Sequence, residues 1–294
     1  MNNREIRGDT IAILGLGKVG TAVGFLLRKA GYRIVAVASR STGSLNQGIA
    51  YTGGKPYLNF SAAAVAANCI IITTSDDAIA HVCKKISSEK AISPGDKVIH
   101  MSGAGGLDLL ASAQDAGARV ACIHPLQSFA DVDGAIRSIP GSTFGITSSD
   151  EIREWSVQIV KHLGGAPFFI ADPDKALYHA AACIASNYLT TLIYMVEEIY
   201  QSIGLSREDA VRAVWPLVMG TIANIETKGA VQALTGPVAR GDAGTIKKHV
   251  EALRNKLPDL LQAYSALGVL TAELGLKKKT LSPETARLIK ELLK

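Results

Sequence analysis

A glycine-rich turn between a strand-like run and a helix-like run limits what this chain can fold into. The turn reads Gly15-Leu16-Gly17-Lys18-Val19-Gly20; the apolar run Thr10–Leu14 precedes it, and a helical stretch (21–30) and a second apolar run (33–38) follow. Strand, G-x-G-x-x-G, helix and strand form the order of a dinucleotide-binding unit. The six turn residues are therefore predicted to hold a pyrophosphate at the helix N-terminus. The alternative is a tight turn without a ligand.

The end of the second apolar run indicates which dinucleotide would bind. NAD-binding units place Asp or Glu there to hold the ribose 2′-hydroxyl. Here the chain has Ser39, Arg40 and Ser41, and residues 10–75 contain no Asp or Glu. A guanidinium flanked by hydroxyls suits a 2′-phosphate. NADP is therefore favoured over NAD, with a solvated loop arginine as the alternative for Arg40.

Composition excludes several classes of protein. The 294 residues are 48% hydrophobic and 19% charged, which is typical of a globular chain. The net charge of +5 comes from dispersed residues, so a nucleic-acid partner is not expected. Four widely spaced cysteines predict reduced thiols without zinc or another metal, and the polar N-terminus lacks a signal peptide, so a cytoplasmic protein is expected. Residues 176–196 contain no Asp, Glu, Lys or Arg but do contain His179 and other polar side chains, which indicates a core helix rather than a membrane span.

The arrangement of apolar runs predicts two domains. Up to residue 171, strand-like runs alternate with helical stretches, a pattern that favours an α/β Rossmann domain with a doubly wound, mostly parallel sheet. From residue 172 onward only helical periodicity remains. The expected domains are therefore an NADP-binding domain, 1–171, and an all-α substrate and dimerisation domain, 172–294. The predicted strands are 10–14, 33–38, 69–73, 97–101, 118–123, 143–147 and 167–171; the predicted helices of the second domain are 173–203, 206–225, 229–234, 243–267 and 283–293.

Four motifs carry a resemblance to a known family: His-Pro-Leu-Gln-Ser-Phe at 124–129, Ala-Leu-Tyr-His-Ala-Ala at 176–181, Ser-Asn-Tyr-Leu at 186–189 and Leu-Thr-Gly-Pro-Val-Ala-Arg-Gly-Asp at 234–242. The chain resembles the 6-phosphogluconate dehydrogenase-like superfamily, which includes ketopantoate reductase, pyrroline-5-carboxylate reductase and prephenate dehydrogenase. It is more closely similar to proteins with a Rossmann-like domain followed by the domain of unknown function DUF2520. The resemblance implies a nicotinamide cofactor and a helical domain like the C-terminal domain of 6-phosphogluconate dehydrogenase, but no particular substrate.

Polar residues that follow predicted strands are candidates for the crevice of the sheet. Thr74 and Ser75 are expected to contact the ribose or nicotinamide, and Ser102, in a glycine-rich turn, to bond a substrate or the nicotinamide amide. The His124-Pro125 pair resembles a pair in prephenate dehydrogenases, in which the histidine touches the reacting hydroxyl. That resemblance makes His124 a candidate general acid or base. A histidine that only holds its loop is the alternative.

The long apolar helix presents a second set of polar residues. Lys175, His179, Cys183, Ser186 and Asn187 fall within about 120° of one another around an α-helix. Ketopantoate reductases have a lysine at the position that corresponds to His179. The sequence therefore leaves two candidate acids on this helix, His179 and Lys175, with Asn187 and Ser186 beside them. A solvated lysine and a packed histidine are the alternatives.

Two further candidates lie in the loop between later helices. Thr235 and Arg240 are expected to contact the substrate, with Arg240 binding a carboxylate. The alternatives are that Arg240 pairs with Asp242 or that Asp242 caps the next helix.

Together these features predict an NADP-dependent oxidoreductase that transfers a hydride to or from a small carbonyl, hydroxy-acid or imine substrate, with ketopantoate reductase-like chemistry as the first hypothesis. A non-catalytic NADP-binding sensor and a deazaflavin-linked NADP reductase are the alternatives. The apolar helix surface predicts a homodimer formed through the helical domain.

Overall fold

The computed structural model describes residues 8–294, and its first part is built on one eight-stranded sheet. In chain numbering the strand order is β3-β2-β1-β4-β5-β6-β7-β8. Neighbouring strands are parallel except β6 and β7, which pair antiparallel. The strands are β1 Thr10–Leu14, β2 Arg33–Ala38, β3 Lys55–Tyr57, β4 Cys69–Ile72, β5 Lys97–His100, β6 Arg119–Pro125, β7 Thr143–Ser148 and β8 Ala166–Phe169.

Helices cover both faces of this sheet because its central strands are apolar on both sides. Ile11 and Ile13 belong to one buried cluster, and Ala12 and Leu14 belong to another. Such strands are typical of a parallel sheet that is covered on both faces. The helices of this part are α1 Lys18–Lys29, α2 Thr42–Thr52, α3 Phe60–Ala64, α4 Asp76–Ser88, α5 Ala111–Asp115, α6 Val132–Ser138, α7 Arg153–His162 and α8 Lys175–Cys183.

The chain divides by its contacts into one compact unit that ends at Ser186 and a second unit, Asn187–Lys294. The second unit is helical throughout, and Ile246, Val250 and Ile289 contribute to its buried cluster. None of the helices in residues 8–294 is long and apolar enough to cross a membrane. The helices of the second unit are α9 Leu189–Ser202, α10 Arg207–Ala233, α11 Ala243–Lys256, α12 Pro258–Lys278 and α13 Pro283–Leu292.

The predicted fold class, a Rossmann sheet followed by helices, is confirmed. The sequence did not predict β3, which has only three residues and includes Pro56, a residue that cannot donate to a ladder. It also missed α2, whose Gly and Ser content is unusual for a helix. The predicted domain boundary at 171/172 follows the last strand, whereas the contact-based division lies at Ser186/Asn187.

Several helix boundaries in the second unit differ from prediction. The expected helix 243–267 is two helices, because Pro258 begins a new one after Leu257. Helix α12 contains Gly268 and continues to Lys278, beyond residue 267, where the expected helix ended. The expected helices 206–225 and 229–234 are joined as α10, with a kink at Gly229, whose φ is 75°.

Candidate active site

The candidate site lies along the edge where β1, β4, β5 and β6 end. These four strands are parallel neighbours, so their carboxyl ends share one edge. The order of the sheet reverses between β1 and β4, which is where ligands bind in open α/β sheets.

The glycine turn after β1 has the backbone that dinucleotide binding requires. Gly15 has φ of +116°, and a Cβ there would lie 2.7 Å from the Thr73 backbone. A Cβ on Gly20 would lie 2.1 Å from the carbonyl oxygen of Gly15, whereas one on Gly17 would meet no atom within 4 Å. The outer glycines therefore allow close packing, and the middle one leaves open space.

Helix α1 begins at this turn with its amides available. Gly17 occupies the N-cap position without a side-chain hydrogen bond, and the first turn contains no acidic residue. The positive end of the helix dipole therefore faces the open space at Gly17, an arrangement that favours an anion.

The end of β2 carries the three residues predicted to bind a 2′-phosphate. Ser39 is buried, and Arg40 is exposed without an ion pair to any residue in 8–294. Ser41 caps α2, because its Oγ accepts a hydrogen bond from the Ser44 amide at 3.1 Å. Arg40 is therefore the free cation here, while the Ser41 hydroxyl also has a structural task.

The end of β4 contributes polar groups next to the glycine turn. Thr73 donates from Oγ1 to the Gly15 carbonyl oxygen at 2.7 Å and so joins the ends of β1 and β4. The Thr74 Oγ1 is buried and has no partner within the described part of the chain. Ser75 is exposed at the N-cap of α4 without a side-chain cap bond. Ser75 is thus accessible to a ligand at this edge, whereas the buried Thr74 hydroxyl has unused hydrogen-bonding capacity.

The turn after β5 is held by hydrogen bonds of its own side chains. His100 Nδ1 accepts from the Ser102 amide at 3.2 Å, so its Nε2–H donates to the Gly106 carbonyl oxygen at 3.0 Å. Burial lowers the pKa of His100 to about 4. The Ser102 Oγ accepts from the Gly105 amide at 3.0 Å. Both side chains therefore stabilise the turn, and the Ser102 hydroxyl uses part of its hydrogen-bonding capacity within it.

Lys175, at the start of α8, is buried rather than solvated. Its side chain is 2% exposed, and its Nζ donates to the Ser102 carbonyl oxygen at 3.2 Å and to the Cys122 Sγ at 2.8 Å. Burial raises the pKa of the Cys122 thiol to about 11, although the lysine charge opposes this. The ammonium thus fastens α8 to the ends of β5 and β6. No pattern in the sequence indicated the role of Cys122.

His124, Tyr178 and His179 meet beside this lysine. The His124 Nδ1 lies 2.7 Å from the Tyr178 Oη, and the rings of His124 and His179 are 6.1 Å apart. Gly103 faces both histidines: a Cβ there would lie 2.3 Å from His179 Cδ2 and 2.9 Å from His124 Nε2. The two histidines therefore share one site, which is built within the first compact unit. Tyr178 was missed, because tyrosine on an apolar helix has no distinctive sequence signal.

The protonation of this cluster follows from its burial. Desolvation, together with the charges of Lys175, His179 and His100, lowers the pKa of His124 to about 4. Desolvation raises the pKa of Tyr178 to about 12. At neutral pH, His124 is therefore a neutral imidazole and Tyr178 a neutral phenol.

The remaining predicted residues follow this cluster along the chain. Ser186 and Asn187 fall in a π-helical turn, Ile184–Tyr188, so the α-helical spacing that placed them on one arc does not hold beyond Cys183. Thr235 and Arg240 are exposed residues of the second unit. Asp242 caps α11 by accepting from the Thr245 amide at 3.0 Å, as one of its predicted alternatives required.

Family models match both parts of the chain. One described as a Rossmann-like domain matches residues 2–125, and one described as a domain of unknown function, DUF2520, matches residues 142–271. A comparison with the curated proteins found no match.

Solved structures share the fold over nearly the whole chain. A candidate NADP oxidoreductase from Bacteroides fragilis is 19% identical, with a TM-score of 0.75, covering 91% of this chain and 99% of its own. A reductive aminase from Aspergillus terreus, in complex with NADPH and ethyl levulinate, is 18% identical, with a TM-score of 0.62 and coverage of 96% and 99%. A Plasmodium falciparum pyrroline carboxylate reductase with NADP bound is 13% identical, with a TM-score of 0.59 and coverage of 94% and 99%.

The expected resemblance is thereby confirmed: this chain joins a Rossmann-like domain to a DUF2520 domain.

Proposed function

We propose that this protein is an NADP-dependent oxidoreductase that acts on a small carbonyl, hydroxy-acid or imine substrate. The observation that carries the proposal is the pairing of an intact glycine turn with Arg40, in a segment without carboxylates, at the ends of β1 and β2. Bound NADPH supplies the hydride, and the protein supplies binding, orientation and a proton donor.

The residues at the sheet edge fit a dinucleotide. The open space at Gly17 and the uncapped start of α1 suit a pyrophosphate, and Arg40 suits a 2′-phosphate. The partnerless Thr74 Oγ1 is available for a further hydrogen bond. From β1 to β6 the edge spans three strand spacings, roughly 14 Å. The cofactor and the histidine site can therefore belong to one crevice.

The fold relatives support the same cofactor class. The Plasmodium enzyme has NADP bound, and the Aspergillus enzyme binds NADPH together with a keto ester. Both names describe reduction at carbon bound to oxygen or nitrogen. Ketopantoate reductase-like chemistry remains the first hypothesis, with Thr235, Arg240, Ser186 and Asn187 as proposed substrate contacts.

Among the three candidate acids, the geometry favours a histidine. The Lys175 ammonium is buried and already bonded to Ser102 and Cys122. His124 Nε2 lies beside the Gly103 backbone and has no hydrogen-bond partner within residues 8–294, and His179 lies next to it. We assign His124 as the proton donor and His179 as the second candidate.

The test is NADPH oxidation by the purified protein with a panel of 2-oxo acids and cyclic imines. Replacing the donor, as in His124→Ala, should lower kcat by roughly 10²–10⁴-fold and leave the Kd for NADPH nearly unchanged. His179→Ala is measured in parallel to decide between the two histidines. Tight NADPH binding without turnover on any member of the panel would instead favour the sensor alternative.

We also propose that the protein is a homodimer that associates through its helical unit. Large apolar side chains rarely cluster on the surface of a monomeric protein. Helix α10 exposes several of them: Trp215, Leu217, Met219, Ile222 and Ile225. A second copy can cover them through a two-fold, self-complementary interface.

A further inference from the structure

The hydrogen bond between His124 and Tyr178 has a direction that the surroundings determine. A neutral imidazole has one N–H, so Nδ1 at 2.7 Å either accepts from the phenol or donates to it. Within residues 8–294, His124 is the one hydrogen-bond partner of the Tyr178 hydroxyl. If Nδ1 donated, the phenol hydrogen would have no protein acceptor. The bonded arrangement therefore has the phenol donating to Nδ1.

The sheet provides a place for this hydroxyl. Gly145 on β7 is paired with His124 on β6, and a Cβ on Gly145 would lie 2.9 Å from the Tyr178 Oη. The Phe168 ring packs edge-on against the Tyr178 ring, with centroids 5.9 Å apart. A glycine directly opposite the histidine thus leaves room for the phenol, and an aromatic neighbour holds it there.

We propose that Tyr178 is a positioning residue, whose hydroxyl donates to Nδ1 of His124 and so places the single imidazole hydrogen on Nε2, the nitrogen that faces Gly103. The catalytic consequence rests on the proposed function, but the tautomer itself does not.

This tautomer suits proton delivery at neutral pH. Nε2–H donates to the oxygen or nitrogen on which negative charge develops. As that proton transfers, Nδ1 takes the Tyr178 proton, so the imidazole stays neutral and the charge resides on the phenolate, which water then reprotonates. A developing alkoxide is more basic than this phenolate, so the overall transfer is favourable.

Nitrogen NMR of protein labelled with ¹⁵N-histidine tests the tautomer without substrate. The wild type should show an unprotonated Nδ1 and a protonated Nε2 for His124, whose signals are identified by their loss in His124→Gln. Tyr178→Phe, which removes only the hydroxyl, should move both signals toward a mixture of tautomers. Tyr32→Phe is the matched control, because Tyr32 bonds His162 in the same way, at 2.7 Å, and should leave the His124 signals unchanged.

Kinetics supply the second readout. Tyr178→Phe should lower kcat by about 10-fold or more while the Kd for NADPH stays within twofold. A wild-type His124 with its hydrogen on Nδ1, or a tautomer unchanged in Tyr178→Phe, would overturn the positioning role. A tautomer that responds as expected in a protein without activity on any substrate would support the positioning role and count against the proposed function.

Discussion

At the scale of single residues, burial rather than residue type determines how the histidines behave. His100 and His124 both have a pKa of about 4, and desolvation is the main cause in each case. Both ring nitrogens of His100 bond to the backbone of its own turn, whereas only Nδ1 of His124 has a partner within residues 8–294. Two histidines with similar protonation therefore have different roles, one in the turn and one in the proposed chemistry.

These lowered pKa values predict acid sensitivity. Between about pH 6.5, the ordinary histidine pKa, and pH 4, the unfolded chain binds protons that folded His100 and His124 do not. The free energy of unfolding should therefore be largest above pH 6.5 and fall by about 1.4 kcal/mol per pH unit for each histidine as the pH drops to 4. Urea unfolding across this range measures the slope.

His124→Gln should reduce that slope by about half, because one of the two titrating groups is removed. His81→Gln, at an exposed position, should leave it unchanged. A stability profile that stays flat from pH 6.5 to pH 4 would contradict the burial-induced shifts.

We propose that Arg40 provides the preference for NADPH over NADH. We expect NADPH to bind at least tenfold more tightly than NADH, a difference of about 1.4 kcal/mol. Arg40→Ala should remove most of that preference by weakening NADPH binding alone. Arg33→Ala, an exposed arginine at the other end of β2, is the control. Fluorescence titrations that give equal Kd values for the two cofactors in the wild type would refute the assignment.

At the scale of elements, the turn between β1 and α1 contains two glycines with different tasks. Gly20 allows close packing, whereas we propose that Gly17 leaves space for the cofactor. Gly17→Ala adds a Cβ into open space, in an extended backbone with φ of −82°, so the fold should persist. The added methyl would occupy the space proposed for the pyrophosphate, and NADPH affinity should fall by tenfold or more. Gly20→Ala would place its Cβ 2.1 Å from a carbonyl oxygen and should lower the melting temperature as well. Thermal unfolding alongside NADPH titration distinguishes the two; a Gly17→Ala variant with full affinity would argue against the proposed binding mode.

Several features of the helices could not be predicted from the local sequence. Gly268 fits within α12, although glycine often marks a helix end, and Pro258 begins a helix instead of merely ending one. The π-helical turn Ile184–Tyr188 has no sequence signature, and it changes the phase of the residues beyond Cys183 that α-helical counting had placed on that helix.

At the scale of the whole molecule, the exposed apolar surface of the second unit predicts assembly. Leu217 is 71% exposed on α10, close to Trp215 and Met219 in sequence. Leu217→Glu should convert a dimer to a monomer in sedimentation experiments at micromolar concentration, because a buried, unpaired charge disfavours the interface. Val65→Glu, at an exposed apolar position of the first unit, should leave the dimer intact. A wild-type monomer would contradict the proposed dimer.

The sequence alone determined the features that depend on local pattern. The glycine turn, the absence of acidic residues between 10 and 75 and the change from alternating strands to helices predicted the fold class and the expected cofactor. Each of these features can be read from residues that are close in sequence, because neighbouring residues determine the backbone conformation of a turn and the hydrophobic periodicity of a strand or helix.

Tertiary structure decided what depends on distant neighbours. Lys175 could have been solvated, but the fold buries it against the Ser102 carbonyl and Cys122. Tyr178 acquired a role because antiparallel pairing of β6 and β7 sets Gly145 opposite His124 and leaves room for its hydroxyl. Desolvation and hydrogen-bond geometry depend on atoms more than 20 residues away along the chain, which no local pattern encodes.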